Sequence, residues 1–346
     1  MNIPLPTKIF ILDHLRVMLR AGIPIGRALE NLGADVAQPK LAAILRDLRA
    51  TVERGVSLTD ALAAHPELLP PVAVELIRSG EQSGTLEKTL AEVTMQLRKD
   101  HDLRSRVQGA LLYPAIIIGA MSIIGTGVIG IILPRLALLF RDVTVMLPLP
   151  TRMLLAFSAF VGSYGLLVVV VLALACALLA AFSRSMRGRA LGHRMLLAVP
   201  GRIGVLAKEV NLARTFRTLA GLLATDIPIV HALELTASTL SNTRYRSAVR
   251  AAATRVAHGE ALGAVLREER ALFPPTSVQV VTVGEETGTL AELFNELANF
   301  YEADVDRSLQ NLTTIIEPIL ILIIGVGVAF LAVAVLQPMY TIAQAI

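Results

Sequence analysis

The sequence predicts an all-α integral membrane protein: two duplicated cytoplasmic six-helix bundles and three transmembrane helices. Three observations carry this. The stretch from Leu15 to Pro134 is written a second time 204 residues later, without a gap. Each copy shows short amphipathic periods punctuated by Gly and Pro, the pattern of a compact helical bundle. Three apolar runs are each long enough to cross a bilayer core of about 30 Å, which takes ~20 helical residues.

The repeat is clearest where Gly80-Glu81-Gln82-Ser83-Gly84-Thr85-Leu86 returns as Gly284-Glu285-Glu286-Thr287-Gly288-Thr289-Leu290. The same shift maps Ile23-Pro24-Ile25 onto Ile227-Pro228-Ile229, and Pro70-Pro71 onto Pro274-Pro275. It also carries Gly55 to Gly259, Glu92 to Glu296, Pro114 to Pro318 and Pro134 to Pro338. One register across so many Pro and Gly positions marks a tandem duplication.

Composition agrees. Apolar residues make up 54% of the 346 and charged residues only 17%, with a mean hydropathy of +0.63. That balance belongs to a membrane protein rather than a soluble enzyme. The net charge of +4 is too small for a nucleic-acid binder, so no direct nucleic-acid partner is expected. The single Cys176 excludes a disulfide framework. Lys8, Asp13, His14, Arg16 and Arg20 interrupt the first twenty residues, which argues against a cleaved signal peptide and for a cytoplasmic N-terminus.

In the first copy, Ile9, Leu12, Leu15 and Leu19 line one stripe of a helix from about Thr7 to Ala21. A second helix covers about Pro24 to Leu32 and a third Lys40 to Arg54. Ser57 with Asp60 reads as a capping box for the fourth. The fifth follows Pro70-Pro71 and is expected to end near Gly80, and Thr85 caps a long sixth helix. Thr289 with Glu292 gives the second copy a fuller capping box at the same place.

The boundaries that follow are 1–110 for the first bundle, 111–134 for the first span, 135–152 for a short outer loop and 153–182 for the second span. A basic linker over 183–207, the second bundle over 208–314, the third span over 315–336 and a tail over 337–346 complete the chain. From Ser183 to Lys208 the sequence holds Arg184, Arg187, Arg189, Arg194, Arg202 and Lys208 and no acid, which places that segment in the cytoplasm. Contact with anionic membrane lipid is a second use for the same charge. Two spans then return the first bundle to that side, and the third leaves the C-terminus outside.

No phosphate-binding Gly-x-x-x-x-Gly-Lys and no His-Glu-x-x-His is present, and the six histidines lack ligand spacing. No catalytic residue, metal ligand or cofactor site is expected, and the chain reads as a non-enzyme. The motif residues Gly80, Glu81, Gly84, Gly284, Glu285 and Gly288 are the candidate site. The glycines read as helix C-caps with a tight turn. The glutamates read either as caps complementing the dipole of the sixth helix or as partner-docking groups. Pro114 and Pro318 stand at the entrance to the first and third spans, either as tolerated kinks or as pivots. Glu317 beside Pro318 is costly at that depth unless it meets water or a partner. A small transporter, a channel and a signalling scaffold are the rival readings. The first two lack polar spans, and the scaffold lacks an outer sensor domain.

The doubled bundle with Gly-Glu-x-x-Gly-x-Leu in each copy, together with Pro114, Pro318, Pro134 and Pro338, resembles the type II secretion F and type IV pilus inner-membrane platform family. The start of the first helix near Met1 is similar to short members serving type IVb, conjugative thin-pilus or competence-pilus systems. Asp226, where the first copy has Gly22, separates the two bundles. The resemblance implies a multi-pass protein of the bacterial inner membrane, with 135–152 and 337–346 periplasmic. It implies coupling of a hexameric assembly ATPase to the extraction of major and minor pilins or pseudopilins. It also implies contacts with other inner-membrane assembly proteins and a homo-oligomer.

Overall fold

A computed structural model describes residues 3–36, 38–132 and 201–343, with scattered positions between 152 and 199. Pro134, Cys176 and, but for Arg152, the predicted outer loop lie outside the described residues. The second span and most of the basic linker are described only at scattered positions.

The fold is all-α. The first copy contributes α1 (Leu5–Arg20), α2 (Ile25–Asp35), α3 (Pro39–Glu53), α4 (Leu58–Ala63), α5 (Pro71–Gln82) and α6 (Leu86–Gly127), the last followed by a π-helical turn over Val128–Ile132. The second contributes α7 (Arg202–Leu223), α8 (Ile229–Thr239), α9 (Thr243–Ala257), α10 (Leu262–Glu268), α11 (Pro275–Thr287) and α12 (Leu290–Ala343). Helices α8 and α9 fall on α2 and α3 at a shift of 204 at both ends.

Local chemistry sets these boundaries. Pro71 and Pro275 occupy the first helical position, where the missing N–H has no partner to lose. The first, third and fifth helices of each copy end in a left-handed residue, with hydrogen bonds returned to the last turn. At the end of α1 that residue is Gly22 (φ +77°), and at the end of α7 it is Asp226 (φ +60°). Aspartate tolerates this region through its short polar side chain. The difference noted between Gly22 and Asp226 therefore leaves the turn intact.

The two copies fill the same plan with different side chains. Leu12, Leu41, Leu69, Leu90 and Leu97 are buried in the first bundle. At a shift of 204 their places are taken by Phe216, Tyr245, Phe273, Phe294 and Tyr301, also buried. Phe216 stacks on Phe294 (ring centroids 5.7 Å) and on Tyr301 (5.9 Å), and meets Phe273 edge-on at 6.4 Å. Buried phenols need partners: the Tyr245 hydroxyl donates to the Leu272 carbonyl at 2.8 Å, and Tyr301 shares a hydrogen bond with Ser277. Burial pushes the Tyr245 phenol well above its usual range.

Residues Met1–Arg106 and Ala190–Ser308 form one compact unit, so the two bundles share a core. Helix α5 of the first copy packs on α8 of the second. Arg214 donates to Asp100 at 2.6 Å and Lys99 to Glu302 at 3.1 Å, both across the junction. Within each bundle an ion pair at equivalent positions ties the first helix to the sixth, with its polarity reversed between copies. Arg98 donates to Asp13 at 2.5 Å in the first, and Arg217 to Glu302 at 2.8 Å in the second. Residues Val107–Arg189 with Leu309–Ile346 form the other unit. There Ile116, Ile123, Ile321, Leu322 and Val326 stand exposed. Such side chains need an apolar solvent.

Candidate functional site

The motif builds a tie between α5 and α4. Four amide donors open every helix without an intrahelical partner. At α4, Ser57 Oγ accepts the Asp60 amide at 3.0 Å. Glu81, carried on α5, takes the next donors. Its Oε1 accepts the Leu58 amide at 2.6 Å, and its Oε2 accepts the Thr59 amide at 2.9 Å and the Thr59 hydroxyl at 2.5 Å. A carboxylate receiving three donors at a helix N-terminus also meets the positive end of the dipole. The second copy repeats the tie. Glu285 accepts the amides of Leu262 at 2.7 Å and Gly263 at 3.0 Å, opening α10.

This corrects the capping reading. The glutamates cap the fourth helix of each bundle, not the sixth. Local pattern could not assign the contact, because it joins residues 22 and 23 apart through tertiary packing. One signal was available. Ala261 stands where the first copy has the capping Ser57 and offers no side-chain acceptor, so α10 must find its acceptor elsewhere.

The glycines divide into two kinds. Gly84 (φ +70°) and Gly288 (φ +72°) occupy the left-handed turn after α5 and α11, as expected of C-cap residues. Gly80 and Gly284 do not: both lie inside their helices, which run on to Gln82 and Thr287. Their role is close approach. A Cβ on Gly80 would sit 2.2 Å from Thr89 Oγ1 and 2.5 Å from Thr89 Cβ. On Gly284 it would meet Leu293 Cδ1 at 3.1 Å. Their carbonyls accept the Thr85 and Thr289 amides at 2.8 and 2.9 Å, closing the turn into α6 and α12. The Thr289 amide is thus given to Gly284, the bond that a capping box would have given to Glu292.

Pro114 lies within α6 and Pro318 within α12, and both helices continue past them. Pro114 is buried, and Glu317 and Pro318 are exposed. Helix α12 also continues past Pro338 to Ala343. Windows of mean hydropathy 1.9 in α6 and 2.3 in α12 make both helices long and apolar enough to cross a membrane.

The family described as type II secretion system (T2SS), protein F, matches twice, over residues 11–134 and again over 215–338. The chain belongs to the type II secretion system protein F family. Both ends of the second match lie 204 residues beyond those of the first, so the family unit is one repeat with its six helices. A type IV pilus assembly protein PilC from Thermus thermophilus is 33% identical, over 95% of this chain and 80% of the relative. One from Myxococcus xanthus is 30% identical, over 95% and 78%. A type II secretion system protein F from Aeromonas hydrophila is 26% identical, over 95% and 84%. Family members therefore serve both pilus assembly and secretion.

Proposed function

We propose that this chain is a non-enzymatic inner-membrane platform of a type IV pilus or type II secretion machine. In this reading it passes the motion of a cytoplasmic hexameric ATPase to pilins or pseudopilins in the membrane. The observation that supports it most is the build of α6 and α12. Each begins at the motif turn, where Gly80 or Gly284 seats it against the preceding helix, and continues without a break into an apolar half. A push on either bundle then reaches the apolar half along one continuous helix. Glu81 and Glu285 serve by holding α4 and α10 to the helix that precedes the long one. Exposed neighbours Gln82 and Glu286 are the surface this motif offers a partner. Pro114, Glu317 and Pro318 mark where each long helix enters lipid, with the N-terminus cytoplasmic and the C-terminus periplasmic.

The test is photocrosslinking in native membranes, with a photoreactive residue at Gln82 or Glu286 and an affinity tag on the N-terminus. Recovery of an ATPase is the expected result, and the site that gives it identifies the docking bundle. Recovery of membrane-embedded partners alone, with the motor turning over, contradicts the coupling.

A further inference from the structure

The junction between the two bundles is head-to-tail, and this leaves one unused half at each end of the repeat. Apart from the ion pairs between the two sixth helices, Lys99 with Glu302 and Arg106 with Asp306, its contacts run in one direction, from the α5–α6 face of the first copy to the α7–α8 face of the second. Ser79 donates to the Thr225 carbonyl at 3.1 Å, and Glu75 faces His231 at 3.6 Å. Gly221 lies so close to α6 that a Cβ there would stand 3.3 Å from Glu92 and 3.6 Å from Gln96. If the junction were two-fold, the counterparts of these residues would be buried against each other in the same chain. They are not.

Shifting each contact by 204 gives the counterparts. Ser79 and Thr225 become Val283 and Ala21, and Glu75 and His231 become Gln279 and Arg27. Gln96 and Gly221 become Phe300 and Val17. Where the junction residues Glu75, Ser79, Thr225 and His231 are half-buried, Gln279, Val283, Ala21 and Arg27 are all exposed. Three of the counterparts are large and apolar: Val17 is 52% exposed, Val283 46% and Phe300 53%. Phe10, the counterpart of Arg214, is 47% exposed on the same face of α1 as Val17. Exposed apolar groups grouped on a surface mark an interaction site, whereas single ones need no explanation.

We infer that a second copy of this chain docks head-to-tail, its α1–α2 face seated on the α11–α12 face of the first, repeating between chains the junction made within each. The occupant is set by continuity: the open faces are the two halves of a contact this fold already makes. The counterparts of the Arg214–Asp100 pair are Phe10 and Asp304, so apolar contacts and not an ion pair carry this surface. Val17 meets Phe300, Ala21 meets Val283, and the Arg27 guanidinium reaches the Gln279 amide oxygen. Val17 in place of Gly221 holds the helices further apart than in the internal junction, and the Phe300 ring fills the added space. Such a heterologous contact closes into a ring if its rotation divides a full turn. This deepens the self-association expected of the platform and rests on it, but it does not depend on a motor.

Cysteine pairs test it in the full chain in native membranes, in a Cys176→Ala background. Two differently tagged chains are co-expressed, one carrying Ala21→Cys and the other Val283→Cys, and a second set carries Val17→Cys and Phe300→Cys. A disulfide needs Cα atoms within roughly 7 Å, so the readout is specific to the register. The expected result is an oxidant-dependent band containing both tags in each set, and no crosslink in chains carrying either cysteine alone. With both cysteines in one chain, a ladder of multiples of 37.0 kDa is expected. A crosslink in Ala21→Cys alone shows a two-fold contact and overturns the proposal, as does a crosslink closed within one chain. Self-association by native mass without either crosslink overturns this surface and leaves the oligomer. A monomer overturns both.

Discussion

The two bundles share a backbone and differ in what fills it, which separates what the plan requires from what it tolerates. Required are the turn residues, the tie from the fifth helix to the fourth, and the close approach at Gly80 and Gly284. Tolerated is the filling: five core leucines in one copy are aromatic in the other. The leucine bundle is held by non-directional burial, roughly 1.5–3 kcal/mol for each fully buried side chain. The aromatic bundle adds ring geometry and tethered phenols. The ion pair between the first and sixth helices survives with its charges exchanged, so opposite charge is needed there and its direction is free. Reversal also has a consequence: α1 in the place of α7 within the second bundle would set Asp13 against Glu302, and α7 in the place of α1 within the first would set Arg217 against Arg98. The exchange thereby disfavours helices swapping between copies.

The largest expected asymmetry lies in that pair. Arg217 is 11% exposed and also donates to Asn295 and Asn299, each at 2.5 Å. Arg217→Ala leaves Glu302 with Lys99 alone and should cost ~2–4 kcal/mol. Arg98 is 55% exposed, and Arg98→Ala should cost about 0–1 kcal/mol. Thermal unfolding in detergent, followed by circular dichroism, should rank the two in that order, and equal losses would contradict it.

Next come the motif glutamates. Glu81→Ala removes three hydrogen bonds and strands the Thr59 hydroxyl, for roughly 2–4 kcal/mol, whereas Glu285→Ala removes two, for roughly 1–3 kcal/mol. In a Thr59→Val background the difference should close. If it persists, the hydroxyl is not its source.

Gly80→Ala drives a methyl into Thr89 and should cost ~1–3 kcal/mol through overpacking. Gly284→Ala meets the movable ends of Leu290 and Leu293 and should cost less than ~1 kcal/mol. Replacing Thr89 with Ala removes the Oγ1 and Cγ2 contacts and keeps the Cβ contact, so it should relieve Gly80→Ala only in part, and no relief at all would place the strain elsewhere.

The smallest effect is at the junction. Burial lifts the Glu92 carboxyl above its usual range, against the pull of Arg217 and Lys88. An acid whose pKa is raised by folding stabilises the fold fully below its unfolded pKa and loses that contribution as pH rises through its folded pKa. Glu92→Gln should therefore raise the melting temperature at neutral pH and change it little in acid. A variant equally shifted at both would remove Glu92 from the pH response.

Much of this was legible in the sequence. A shift of 204 aligns the copies, and Pro, Gly and Ser57 place the helix ends because their backbone and capping preferences act within a few residues. What local pattern missed was tertiary. Glu81 sits one turn from a helix end, so dipole reasoning gives it to the nearest helix, but its donors lie on α4. Gly80 looks like a terminator beside Gly84, but it is a contact surface for Thr89. The reversed pair of Asp13 with Arg98 and Arg217 with Glu302 was visible once the register was set, because both positions change sign together. Thr59, Thr89 and Ser79 carried no sequence signal of their own.

The claim that the motif glutamates tie each fourth helix to its bundle is tested most directly by hydrogen exchange with mass spectrometry. Full-length protein in detergent would be compared with its Glu81→Ala and Glu285→Ala variants. The account predicts faster exchange over Leu58–Ala63 in the first variant and over Leu262–Glu268 in the second, with each effect confined to its own copy. Unchanged protection at these helices, with loss instead at the start of α6 and α12, would return the glutamates to the sixth helix and contradict the account.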